Sequence, residues 1–341
     1  MRSRRAVSLS LLIAAAACLI ARPALPSDKS HPSVIIVLVD ALRADYLGCY
    51  GFLAPISPNI DAFAKRSVFF ENCASAAPWT KPSVASLFTS VHPETHRLIH
   101  ATMKGDWPDH IEVLSSTFTT MAEVFHDHGY RTIALNCNPW VAPESGLMQG
   151  FDQYIAYNRP RFANDVLNWI STYTTTAPTF MYIHFLDVHG HYIFSQEDYY
   201  RMEGALKVLP DANARYDNSH LAWYMKNTFP PDHPEREKSV TSWRAAYAAG
   251  IVRFDGLFGK FLEQLHATGL WDRSIVIFIS DHGEGLVQHG FLEHGNTLNL
   301  EEIHVPFLIH FPGDKYAGVR VSDWVSLVDV LPTLADYCHL G

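Results

Sequence analysis

Apolar positions along this chain fall into short β-branched runs separated by stretches with helical spacing. Ser33–Val39 (SVIIVLV), residues 179–186 (TFMYIHFL) and residues 274–280 (SIVIFIS) are nearly unbroken apolar runs. Such runs mark strands buried on both faces of a sheet. Residues 131–135 and 305–311 read as further strands. Between them, Pro58–Lys65 and residues 82–89, 117–128, 162–173, 243–266 and 327–337 repeat apolar side chains every three or four positions, the helical period. Pro82 suits a first helical turn, and Gly129 suits a helix C-terminus. Strands alternating with helices predict an α/β protein, a three-layer α/β/α sandwich around a mostly parallel central sheet. Residues 195–240 break the rhythm; rich in Tyr, Asn, Asp and Pro, they read as an irregular surface insertion near the site.

Composition narrows the picture. Of 341 residues, 48% are hydrophobic and 18% charged, which supports a sizeable core rather than disorder. The net charge of -9 argues against a nucleic-acid partner, which would need clustered Lys and Arg. Arg2, Arg4 and Arg5 precede an apolar run over residues 6–21, so residues 1–27 read as a secretion signal or an N-terminal membrane anchor. Cys18 after Ala15–Ala17 adds a lipoprotein-type alternative. Each version places the rest of the chain outside the cytoplasm, in periplasm, envelope or medium, with membrane attachment through the N-terminus in two of the three. The remaining cysteines, Cys49, Cys73, Cys137 and Cys338, form no CxxC pair, and in an oxidising compartment they could form disulfides.

In parallel sheets, sites gather at the carboxyl ends of strands. Three of the predicted strands end in acids: Asp40, Asp187, and Asp281 followed by His282. A carboxylate there is costly unless paired or bound to a cation, although a turn-capping role is equally ordinary. Adjacent Asp281 and His282 offer oxygen and nitrogen ligands, with glycines at 283 and 285 for a tight turn. Thr80 lies at the start of the predicted 82–89 helix, where orphan amides favour an alkoxide or an anion; the plainer reading is a helix cap. His184, His189 and His191 crowd one strand end, and His289 and His294 follow the Asp-His pair.

These segments have an order. VDALRADYLGCYG, the stretch from SPNIDAFAKR through APWTKPSVASLF to HPETH, HFLDVHGHY, ISDHGEGLVQHG and HGNTLNLEEIHVPFLIHFPG together resemble the sulfatase family of the alkaline-phosphatase superfamily, from about Ser33 to the C-terminus. The resemblance implies an alkaline-phosphatase-like fold and a catalytic domain over residues 33–341. It also implies a divalent metal (Ca, Mn or Zn), held by Asp40, Asp281 and His282 with Thr80 as fourth contact. His189 and His294 match positions that touch the transferred group, and His96 lies at most near the site. A family member usually continues past the DVLPTLAD segment into a smaller C-terminal subdomain, and that part is missing from this sequence.

The chain also departs from the family pattern. Sulfatases carry Cys or Ser in C/S-x-P-S-R and oxidise it to formylglycine; here the segment is Thr80-Lys81-Pro82-Ser83-Val84. The second Asp of the first motif is Ala41. An unmodified Thr activated by a metal remains a competent nucleophile, as in related phosphodiesterases and phosphoethanolamine transferases. Asp187 and His191, with His294 at a distance, match the spacing of the superfamily's second metal site, so the expectation is one ion with a second site available. The leading expectation is a metal-dependent hydrolase of sulfate or phosphate esters on a small molecule, glycan or lipid, with Thr80, His189 and His294 catalytic. The alternatives are a phosphoethanolamine- or phosphoglycerol-type transferase and a degenerate, non-catalytic member that binds anions.

Overall fold

A computed structural model describes residues 31–99, 101–104, 107–157, 162–190, 192–206 and 236–340. The N-terminal segment 1–27, Cys18 and His191 lie outside the described residues. Among those described, no helix is long and apolar enough to cross a membrane.

The order is β1 (Ser33–Val39), α1 (Pro58–Lys65), β2 (Val68–Ala74), α2 (Thr80–Thr89), α3 (Pro93–His96), β3 (Ala101–Lys104), β4 (Trp107–Ile111), α4 (Met121–Asp127), β5 (Arg131–Asn136), β6 (Gln153–Ala156), α5 (Phe162–Thr172) and β7 (Thr179–Phe185). It continues with α6 (Gln196–Leu206), α7 (Arg236–Ala267), β8 (Ser274–Ile279), β9 (Gly285–Leu286), β10 (Leu292–Glu293), α8 (Leu300–Ile303), β11 (Phe307–His310), β12 (Arg320–Ser326) and α9 (Val330–Tyr337). Eight strands form one sheet in the order β12-β2-β11-β8-β1-β7-β5-β6. Every neighbouring pair in it is parallel except those of β11, which runs antiparallel to both β2 and β8.

β1 lies between β7 and β8 and is buried along its whole length. Its side chains alternate between two cores. Ile35, Val37 and Val39 join Phe63 of α1, Val166 of α5 and Phe254 and Phe258 of α7. Val34, Ile36 and Leu38 join Leu87 and Phe88 of α2, Phe125 of α4 and Leu334 of α9. Helices thus cover both faces, the three-layer arrangement that the sequence predicts.

Several boundaries differ from expectation, each for a local reason. The helix expected over 82–89 begins at Thr80, with the extended Trp79 as its cap residue, so Thr80 is not a helix cap. The 117–128 helix begins only at Met121, where Thr120 and Glu123 form a reciprocal capping box. Within the expected irregular stretch 195–240, residues Gln196–Leu206 are helical, and the long helix starts at Arg236 rather than 243. The remainder of that stretch, 207–235, lies outside the described residues. Among the described residues no disulfide joins the cysteines: Cys73 and Cys338 pack as small apolar side chains in one core, and Cys49 and Cys137 against the other.

Candidate metal and nucleophile site

The carboxyl ends of β1, β5, β7 and β8 meet the N-terminus of α2 in one buried place. Asp40 leaves β1 through a strained turn. Ala41 has φ 60°, a left-handed conformation that costs an alanine about 1–2 kcal/mol. The turn is clamped on all sides. Ala41 N donates to Asp281 Oδ1 at 3.4 Å, Leu42 N to Ser280 Oγ at 3.0 Å, and Tyr247 OH to the Ala41 carbonyl at 2.8 Å. After His282 the backbone passes so close to α8 that a Cβ on Gly283 would lie 2.0 Å from the Glu301 carbonyl oxygen; only glycine fits.

Each candidate ligand has one atom satisfied and one left over. Asp40 Oδ2 accepts from Asn138 Nδ2 at 2.6 Å and His184 Nε2 at 2.9 Å, while Oδ1 has no hydrogen-bond partner. Asp281 Oδ1 accepts from the backbone N–H of His282 at 3.0 Å, while Oδ2 has none. His282 Nδ1 lies 2.8 Å from the Gly283 carbonyl and must donate to it, which leaves Nε2 for coordination. That Nε2 lies 3.3 Å from Asp40 Oδ1, 3.6 Å from Asp281 Oδ2 and 3.3 Å from Thr80 Oγ1. Thr80 Oγ1 is also 3.4 Å from Asp40 Oδ2.

Two unpartnered carboxylate oxygens in a buried place cost of the order of 1–3 kcal/mol each. Their convergence on a histidine nitrogen and a hydroxyl fits a divalent cation, and Asp40, Asp281 and His282 are the one group among the described residues with this geometry. The electrostatics agree. Burial pushes the Asp40 carboxyl up, but the charge of His189, the hydrogen bond from His184 and the nearby His282 hold it well below the usual carboxylate range. Burial, and then the neighbouring charge of Asp40, push Asp281 the other way. Burial lowers His282, yet the Asp281 charge and then Asp40 overcome it and lift it to about 10.

His189 and His294 border this place from the cleft side. Their rings are 4.9 Å apart, and the His294 ring is 4.3 Å from that of His282. His294 Nδ1 lies 2.9 Å from Oε1 of the buried Glu284, whose Oε2 accepts from Tyr192 OH at 3.1 Å. Gly295 N donates to the Pro78 carbonyl at 2.8 Å, which ties the His294 loop to the segment before Thr80.

The other predicted residues lie differently. Asp187, the proposed anchor of a second ion, forms an ion pair with Arg253 of α7, so its charge is already met. His96 binds Ser86 Oγ at 3.0 Å through Nε2 and accepts from Leu98 N at 3.0 Å; it secures the end of α2 and stays out of the site. In the sequence, Asn138 and Glu284 carry no assigned role, and His184 stands only among the crowded histidines. Asn138 lies just past the carboxyl end of β5, so the strand-end rule that picked out Asp40 would also have picked it out.

Comparison with known proteins shows the family of the chain. The sulfatase family profile matches residues 32–340. An ulvan-active sulfatase from Formosa agariphila is 27% identical over 336 residues, covering 90% of this chain. This chain spans 61% of the length of that relative. An arylsulfatase from Clostridium perfringens is 23% identical, over 91% of this chain and 75% of its own length. Among solved structures, a phosphonate monoester hydrolase of Agrobacterium radiobacter superimposes with a TM-score of 0.69 at 20% identity, covering 90% of this chain and 74% of that one.

Proposed function

The chain belongs to the sulfatase family, and on that footing we propose that it hydrolyses sulfate or phosphate esters, with Thr80 as nucleophile beside a divalent cation held by Asp40, Asp281 and His282. One observation carries the reading. A hydroxyl at a helix N-terminus, two unpartnered carboxylate oxygens and a histidine nitrogen meet in one buried place. The names of its relatives, an ulvan-active sulfatase, an arylsulfatase and a phosphonate monoester hydrolase, support a sulfuryl or phosphoryl ester as substrate.

When bound, the cation supplies positive charge that stabilises the ester oxygens and lowers the pKa of the Thr80 hydroxyl. The donor set of two carboxylates, an imidazole and a hydroxyl suits Mn or Zn better than Ca, which prefers oxygen alone. The residues do the rest. Thr80 Oγ1 attacks sulfur or phosphorus, and Asp40 Oδ2, 3.4 Å away, is within reach of its proton. The bond from sulfur or phosphorus to the leaving oxygen breaks as the new bond to Oγ1 forms. The amides at the start of α2 face the transferred anion and stabilise its charge. The leaving oxygen takes a proton from His294 or His189. Glu284 Oε1, 2.9 Å from His294 Nδ1, orients the ring for this step. Water then cleaves the sulfo- or phosphothreonine with the same histidines as base, regenerating Thr80.

The test pairs wild type with Thr80→Ala on an aryl sulfate, an aryl phosphate monoester and a bis-aryl phosphate. Turnover of any of the three that disappears in the variant supports the reading and names the ester class. Full turnover in Thr80→Ala removes Thr80 from the mechanism.

A further inference from the structure

Resting on that functional reading, we propose that Tyr182 and His184 are positioning residues, a buried relay that fixes which oxygen of Asp40 is presented to the cation. A lone carboxylate turns about its Cβ–Cγ bond and exchanges its oxygens. Asp40 is denied that freedom because Oδ2 receives two strong donors, Asn138 Nδ2 at 2.6 Å and His184 Nε2 at 2.9 Å, and Oδ1 receives none. With Ala41 next in the chain, Asp40 is the acid that β1 delivers to the site, so its aim carries weight.

His184 can act this way only as one tautomer. Its Nε2 faces an ionised carboxylate and must carry the hydrogen, so Nδ1 presents a lone pair. The Tyr182 hydroxyl lies 2.7 Å from that Nδ1 and donates to it. Tyr182 is wholly buried, and burial followed by the charges of Asp281 and Asp40 keeps its phenol protonated far above the usual range. The strand explains the pairing. Tyr182 and His184 are two apart on β7 and therefore share a face. β7 is in register with β1, Leu38 opposite His184, which brings the imidazole alongside Asp40. The Tyr182 ring is itself held edge-on against Phe88 of α2 at 4.8 Å. The chain of contacts therefore runs from core to ring to imidazole to carboxylate, the kind of outer support that tunes metal sites.

The experiment titrates chelator-treated full-length protein with Mn²⁺ by calorimetry, with the electron paramagnetic resonance spectrum of the bound ion as a second readout. Tyr182→Phe keeps the ring and its packing and removes only the donor. His184→Leu removes the relay, and His184→Gln retains an amide that can donate to Oδ2. Tyr182→Phe and His184→Leu are expected to weaken Mn²⁺ binding by about 10- to 100-fold. His184→Gln should recover part of the loss. Ester turnover in Tyr182→Phe should be restored by raising Mn²⁺, which a merely structural defect would not allow. Thermal unfolding of the cation-free proteins identifies a variant that does not fold; if that is His184→Leu, Tyr182→Phe decides alone. Wild type that binds Mn²⁺ alongside a Tyr182→Phe variant of equal affinity overturns the relay and leaves the functional reading standing. Wild type that binds no Mn²⁺ overturns both.

Discussion

Asp40 and Asp187 follow neighbouring strands, β1 and β7, at the same edge of the sheet, and both are almost fully buried. The sequence offers Asp40 as a ligand of the expected ion and Asp187 as a ligand of an available second site. Their surroundings make them opposites. Asp40 Oδ2 accepts from Asn138 and His184, while its Oδ1 has no hydrogen-bond partner. Asp187 faces Arg253, a permanent cation that already supplies what a metal would. The proposed function assigns Asp40 to the cation and leaves Asp187 to its ion pair with Arg253 of α7.

Four measurements would break or sharpen this contrast. The largest effect belongs to the nucleophile beside Asp40: Thr80→Ala should lower ester turnover by at least ~10³-fold, as loss of a covalent nucleophile commonly does. A residual rate near wild type would leave Asp40 without a chemical role. Next comes metal content after dialysis. Asp40→Asn and Asp281→Asn should lose the cation, whereas Asp187→Asn should keep wild-type stoichiometry near one ion per chain. Equal losses in all three, or two ions in wild type, would restore Asp187 as a ligand. Third, Arg253→Met removes the cation paired with Asp187. Because the Arg253 side chain is 27% exposed, the cost should be about 1–3 kcal/mol in urea unfolding, less than for a fully buried pair, with cation content unchanged. The smallest effect is on pH dependence. In the cation-free chain His282 titrates near 10, above its ordinary 6.5. The stability it adds is full below about pH 6.5 and is lost as pH rises through about 10. Melting temperatures across that window should decline in cation-free protein, and the decline should flatten once Mn²⁺ displaces the proton. Identical slopes with and without Mn²⁺ would place the ion elsewhere.

What the sequence reveals follows from burial. β1, β7 and β8 are legible because strands covered on both faces must be continuously apolar, and the acids ending them stand out against that background. β2, β6 and β12 are illegible for the opposite reason. VFFENCA and QYIA are only partly covered, and RVSDWVS forms the sheet's edge with Trp324 exposed, so none shows a clean period. The site divides in the same way. Asp40, Thr80, Asp281 and His282 belong to motifs that name their chemistry, whereas the roles of His184 and Glu284 depend on Asp40 and His294, which the fold brings beside them. Arg253 is the clearest case. On a helix of 32 residues it reads as one more surface cation, and only the fold brings it to Asp187.

The central position of β1 has a consequence in time. Its two neighbours are β7 and β8, and the contact that steadies the turn after Asp40, Ala41 to Asp281, spans 240 residues of chain. Such long-range closure is slow, because its entropic cost comes before its contacts form. A chain emerging from the ribosome exposes Asp40 early, yet it has nothing with which to hold an ion until residue 282 has been made and β8 has docked. On the proposed reading, ion capture is therefore a late event that waits for the final closure of the sheet.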